Sequence, residues 1–254
     1  MGYALPLVRA AARALVDFTL PLACVSCEGL MDAGEDGLVC GRCWSRLALL
    51  PYPRCERCGH PTAGRACRWC ALLPPFVRAA RAVCWVPGGT AGAMVHALKY
   101  HGWTRAAAGM AGRMARLTWP RDVVEERAFV VPVPLAPVRL RERGYNQSAL
   151  LADALANRWG IPARPKVLER VRGTRTQTRL TPDERRINVS GAFRAVESAI
   201  PELPGAHVVL VDDVITTAAT MNACAAALLE GGARIVSYVT FGRAPTSDDQ
   251  RGDH

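Results

Sequence analysis

Four C-x-x-C pairs within 47 residues, Cys24/Cys27, Cys40/Cys43, Cys55/Cys58 and Cys67/Cys70, constrain this chain more than any other feature. A C-x-x-C turn aims two thiolates at one point, and two such turns complete a tetrahedral four-sulfur site for Zn²⁺. Spacers of 12 and 8 residues between paired turns suit a compact ribbon. The simplest assignment is two structural zincs, one on the first four cysteines and one on the last four. A crossed pairing of the turns, or one metal-bearing site beside a vestigial one, would use the same residues. Four thiolates leave no open position for water, so a catalytic metal is not expected here. Disulfides would need an oxidising compartment. Nothing near the start reads as an export signal, because Arg9, Arg13 and Asp17 interrupt the apolar run and Pro21 stands where a lipoprotein signal ahead of Cys24 needs leucine. The expected location is the cytoplasm.

These readings divide the chain. Residues 1–20 read as an N-terminal amphipathic helix, with Val8, Ala11, Ala12, Leu15 and Val16 on one stripe. Residues 21–71 form the zinc-ribbon module, closed by the double proline of LLPPF at 72–76. A second domain runs over 77–245, and 246–254 is a polar tail. His60 is read as decorating its knuckle rather than binding metal, and Cys84 and Cys224, which stand alone, as small buried hydrophobes.

The second domain reads as alternating strands and helices. Residues 129–133 and 208–211 (VVLV) are unbroken apolar runs, as expected of parallel strands buried on both faces. A third strand is RIVSYVTF at 234–241. Leu150, Leu151, Ala154, Leu155 and Trp159 recur at helical spacing ahead of Gly160, and a further helix fills 220–229 before Gly231 and Gly232. Earlier, TAGAMVHALKYHG and RAAAGMAGRMARL read as two more helices. The expected fold is therefore α/β, with a parallel sheet whose site lies at the carboxyl ends of its strands. Half of the 254 residues are hydrophobic, which excludes a disordered or fibrous chain. No run of about 18 apolar residues exists to form a transmembrane segment.

Charge points to an anionic partner. The net charge is +10, and residues 139–194 hold 13 Arg and Lys against five acids, or +8 of it. Only Lys99 and Lys166 are lysines, so arginine richness itself is partly a bias of composition.

The segment VVLVDDVITTAAT (208–220) carries the chemistry. Two carboxylates at a strand end can accept hydrogen bonds from vicinal ribose hydroxyls, while threonine hydroxyls and backbone N–H groups at a helix start hold a phosphate. A Walker B strand would need a G-x-x-x-x-G-K-[ST] loop, which the chain lacks. The segment resembles the 5-phosphoribosyl 1-diphosphate (PRPP) motif of type I phosphoribosyltransferases. The order of blocks, from the C-x-x-C ribbon through HALKYHG, VPVPLAPVRLRERGYNQ and RGTRTQTRLTPDERRINVSGAF to the PRPP motif, resembles the ComF family over nearly the full length.

The resemblance implies a type I phosphoribosyltransferase domain behind a small zinc ribbon of the four-cysteine type. Asp212 and Asp213 match the acidic pair that meets ribose, and Thr216, Thr217, Ala218, Ala219 and Thr220 the 5′-phosphate loop. That loop usually reads T-T-G-A-T. Ala218 replaces its glycine, tolerably at negative φ and under strain at positive φ. The loop after the 129–133 strand corresponds by position to the pyrophosphate-binding loop of the transferases, so that Arg139, Arg141 and Arg143 are candidates for the diphosphate, with Lys99 as a further candidate. Residues 172–191 contain the loop expected to close over PRPP, and Thr181-Pro182-Asp183-Glu184 within it also has the form of a helix capping box. The implied cofactors are structural Zn²⁺ and a Mg²⁺ that arrives with PRPP. The implied activity is transfer of phosphoribosyl to an unidentified nitrogen acceptor, in a protein associated with uptake of single-stranded DNA. The alternative is a non-catalytic nucleic-acid-binding accessory protein with a sensory or vestigial PRPP site, in which Tyr100, Trp103 and Tyr145 offer stacking surfaces.

Overall fold

The computed structural model describes residues 23–31, 38–62, 67–172, 191–245 and 249. The expected N-terminal helix over 1–20, the capping box at 181–184, nearly all of the 172–191 loop and most of the 246–254 tail lie outside these residues.

A four-stranded sheet organises the chain: β1 (Val77–Trp85), β2 (Arg127–Pro132), β5 (His207–Ile215) and β6 (Ile235–Arg243). Its order is β1-β6-β5-β2, and all three pairings are parallel. A two-stranded antiparallel ribbon, β3 (Leu168–Arg170) with β4 (Phe193–Ala195), stands apart from it. Among the described residues the α-helices are α1 (Gly41–Ser45), α2 (Gly89–Tyr100), α3 (Ala106–Met114), α4 (Arg121–Glu126), α5 (Pro137–Arg143), α6 (Gln147–Trp159) and α7 (Ala219–Glu230).

The apolar runs are continuous because both sheet faces are covered. Val208 and Leu210 face a core shared with Met221, Cys224 and Leu228 of α7, whereas Val209 and Val211 face one shared with Leu98 of α2, Met110 of α3 and Leu151 of α6. All four of these β5 residues are completely buried, and each buried apolar side chain contributes at about 25 cal/mol per Å² of surface removed from water. The lone cysteines behave as expected. Cys84 and Cys224 are both fully buried, and burial pushes the Cys84 thiol up to about 12.

The ribbon is joined to the sheet rather than tethered. Leu50 N–H donates to Val83 O at 3.2 Å and Trp85 N–H to Ala48 O at 2.8 Å, so the chain leaving the first cysteine cluster runs beside the β1 edge. The Arg57 guanidinium donates to the carbonyls of Val77, Leu73 and Pro74 at 2.6–3.2 Å, clamping the second cluster to the start of β1. Gly59 (φ +66°) lies where any Cβ would stand 2.6 Å from Ala80 O. A side chain there would push the ribbon off the sheet.

Candidate functional site

The cysteines gather in sequence order, Cys24/Cys27/Cys40/Cys43 and Cys55/Cys58/Cys67/Cys70, with the sulfurs of each set within 4.8 Å of one another. Individual Sγ···Sγ separations of 3.3 Å (Cys55–Cys70, Cys58–Cys67) and 3.8 Å (Cys27–Cys40) approach the edge of a tetrahedron drawn with Zn–S bonds of about 2.3 Å. All-thiolate donors in this geometry fit one structural Zn²⁺ in each set. His60 belongs to neither set. It stacks on Trp69 and meets Asp249 at 2.9 Å. Beside the second set Arg243 is completely buried, donates to Cys58 O at 2.6 Å and lies 4.0 Å over the Trp69 ring.

At the carboxyl ends of the strands lies a cavity of about 470 Å³. Asp212 and Asp213 line it from the end of β5, and Thr216, Thr217, Ala218, Ala219 and Thr220 line it from the turn into α7. Because this turn opens a 12-residue helix, the N–H groups of the helix start and the positive end of the helix dipole belong to the same wall.

Two residues that sequence reasoning did not single out hold the acidic pair. Ser148 Oγ donates to Asp212 Oδ1 at 2.7 Å, and Gln147 Nε2 to Asp213 Oδ1 at 3.1 Å. Both belong to the first turn of α6, which starts there because the Asn146 side chain accepts from Ser148 N–H at 3.0 Å while donating to Val133 O at 3.0 Å. Asn-Gln-Ser after Gly-Tyr reads in sequence as a capped helix start, which α5 precedes, but that signal does not say which carboxylates its side chains reach. Arg170, at the end of β3, also lines the cavity, and nothing in the sequence set it apart from the other arginines.

Electrostatics divide the two aspartates. Burial, together with the Asp213 carboxylate next to it, pushes Asp212 up to about 7. Asp213, 3% exposed, forms an ion pair with Lys99. Burial alone would lower the Lys99 ammonium, but that pairing overrides it and holds Lys99 above its usual value.

Ala218 has φ +61° and is 2% exposed, within the core that packs α7. The positive-φ case therefore holds. Its cost is backbone strain of about 1 kcal/mol for a residue with a Cβ. The buried residue belongs to the packing under the loop.

The three arginines do not occupy a loop. They ride on α5, which Pro137 starts and Gly144, in left-handed conformation, stops. A proline at the first helical position and a glycine just past the last one favour a helix over the expected loop. Arg139 and Arg141 are exposed, and Arg139 pairs with Glu142 at 2.9 Å. Arg139 and Arg143 line a smaller cleft of about 160 Å³ that also includes Lys99, Tyr100 and Tyr145, whereas Arg141 lines neither opening. Lys99 thus borders both cavities.

Residues 146–252 match the phosphoribosyl transferase domain model, and residues 15–73 match the double zinc ribbon domain. The chain is 33% identical to DNA utilization protein YhgH of Salmonella typhimurium over 86% of this chain and 95% of that one. It is 30% identical to competence protein F of Haemophilus influenzae (87% and 96%) and 28% identical to competence protein ComFC of Bacillus subtilis (87% and 90%). Among the described residues no helix is long and apolar enough to cross a membrane.

Proposed function

Because the chain belongs to the ComF family, a phosphoribosyltransferase domain behind a double zinc ribbon, we propose that its main cavity binds PRPP together with Mg²⁺. The observation that carries this reading is the acidic pair at the end of β5, running directly into a hydroxyl-bearing turn that opens a helix, all on one wall of a 470 Å³ cavity. The carboxylates of Asp212 and Asp213 accept from the ribose 2′- and 3′-hydroxyls. The N–H groups and hydroxyls of residues 216–220 hold the 5′-phosphate. Lys99 exchanges Asp213 for the diphosphate, assisted by Arg139 and Arg143 across the adjoining cleft. Mg²⁺, held mostly by ligand oxygens and water, supplies charge neutralisation to the diphosphate.

If an acceptor nitrogen attacks C1, a C1–N bond forms as the C1–O bond breaks and pyrophosphate leaves with its electron pair. The protein's part is then positioning and charge. Gln147 and Ser148 keep the carboxylates on the ribose, and the ionised pair favours positive charge developing at C1. The cellular setting proposed is handling of incoming DNA, as the names of its relatives suggest for them. The expected outcome is that PRPP with Mg²⁺ raises the melting temperature, that ribose 5-phosphate raises it less, and that EDTA abolishes the PRPP shift.

A second reading rests on the exposed arginines of α5. Arg139 and Arg141 point to solvent outside the main cavity, which suits phosphates of a single strand better than a bound sugar. Under it, binding to an oligothymidylate falls steeply with salt and survives loss of the aspartates.

A further inference from the structure

Away from this cavity, a groove of about 450 Å³ lies where the zinc ribbon meets α3 and β1. Its apolar lining joins the aliphatic Leu47, Leu49, Val83 and Leu117 to the rings of Trp44 and Tyr52, and Leu49 is 58% exposed. Its charged lining is entirely cationic: Arg54, Arg113 and Arg116. Arg54 is committed to the carbonyls of Leu50 and Pro51. Arg113 and Arg116 are different, since among the described residues no carboxylate meets either guanidinium. Two arginines one helical turn apart repel each other, and burial together with Arg116 holds Arg113 below its usual value.

An unneutralised cation pair over an aliphatic surface is complementary to a ligand that brings carboxylates and an apolar side chain together. Arginine forks take carboxylates bidentately, and an aliphatic slot accepts a leucine or phenylalanine. A volume near 450 Å³ falls in the range of pockets of roughly 300–1,000 Å³ that hold small ligands. Nucleic acid fits less well. The two ring systems in the lining already carry guanidinium groups, Arg113 over Trp44 at 3.7 Å and Arg54 over Tyr52 at 4.2 Å, so neither leaves both faces to a base. Trp44 has a further duty, because it packs so closely on Gly109 of α3 that a Cβ there would lie 2.9 Å from its ring.

We infer that this groove docks an acidic segment of a partner protein that places an aliphatic or aromatic residue on Leu47 and Leu49 and its carboxylates on Arg113 and Arg116. Nothing in this depends on PRPP binding, because none of these residues lines the main cavity.

The test is fluorescence anisotropy of the full-length, zinc-loaded protein with the labelled peptide Asp-Asp-Asp-Leu-Phe, its counterpart Lys-Lys-Lys-Leu-Phe and a short oligothymidylate. The acidic peptide is expected to bind saturably and the basic one not at all. Arg116→Glu, an exposed position whose loss should leave the melting temperature in place, is expected to weaken the acidic peptide about tenfold or more. Leu49→Asp is expected to weaken it independently, through the apolar anchor. Failure of the acidic peptide to bind, binding that ignores both substitutions, or an Arg116-dependent preference for oligothymidylate would each overturn the inference.

Discussion

The cavity and the second cysteine cluster treat buried charge in opposite ways. Around Cys55/Cys58/Cys67/Cys70 the buried Arg243 lies against a set of thiolates that carry net negative charge when they hold Zn²⁺. Burial holds Arg243 down to about 10, and the neighbouring cysteines offset part of that cost. In the cavity, two carboxylates are adjacent and share one lysine, one of them is pushed up to about 7, and the neighbouring loop is strained at Ala218. One region is arranged for stability. The other keeps a raised carboxylate and a strained loop side by side, a pattern typical of functional sites.

That contrast predicts the largest effect at the ribbon. Cys58→Ser removes the one buried thiolate of the second set and weakens the counter-charge that faces Arg243. We expect loss of one equivalent of zinc by metal analysis and loss of cooperative melting by circular dichroism, since structural zinc contributes on the order of 10 kcal/mol. Cys27→Ser, in the first cluster at an exposed position, is expected to cost less. Arg243→Met sharpens the point. With zinc bound it should destabilise by about 2–3 kcal/mol in urea, whereas a neutral or stabilising result would mean the guanidinium faces no net negative charge.

In the cavity the sign reverses. Asp212 is raised in the folded protein, so the folded state binds the extra proton, and stability falls as pH rises from about 4 to about 7. Above pH 7 the destabilisation is complete. Asp212→Asn should therefore stabilise by about 2 kcal/mol at pH 8, and by nothing near pH 4, in paired urea melts. An effect independent of pH would show that the carboxylate is not burdened by burial and its neighbour.

The smallest effect is expected at Ala218. Ala218→Gly removes the left-handed strain, at the cost of a freer unfolded chain, for a net gain of about 0.5–1 kcal/mol in denaturant titration. A loss instead would show that the methyl group's packing outweighs the backbone strain.

How legible each region was follows from what its residues do. The ribbon was legible because cysteine spacing is itself the geometry, and the turns pair in sequence, as the simplest assignment had them. Strands β2 and β5 were legible because burial on both faces demands unbroken apolar runs, and β6 because RIVSYVTF follows the helix that ends at Gly231 and Gly232. β1 was not. Its VRAARAVCW carries two arginines, and only the structure shows that Arg78 pairs with Asp122 and that Arg81 donates to the carbonyls of Thr118 and Glu56. The acidic pair and the phosphate-type loop were legible as a contiguous motif, but their supports were not. Gln147 and Ser148 lie 66 and 64 residues before the aspartates they hold, on another helix, and a buried polar residue at a helix start looks like any exposed one. Arg139, Arg141 and Arg143 show the converse error: position after a strand suggested a loop, while Pro137 and Gly144 had already bracketed a helix.

The central claim is that Asp212 and Asp213 form a ribose-phosphate site. Its most direct test is calorimetric titration of PRPP with Mg²⁺ into the wild-type protein and into Asp212→Asn/Asp213→Asn, with circular dichroism verifying that both are folded. The account predicts saturable binding near one equivalent by the wild type and none by the double variant. No binding by the folded wild type, or equal binding by both, would contradict it.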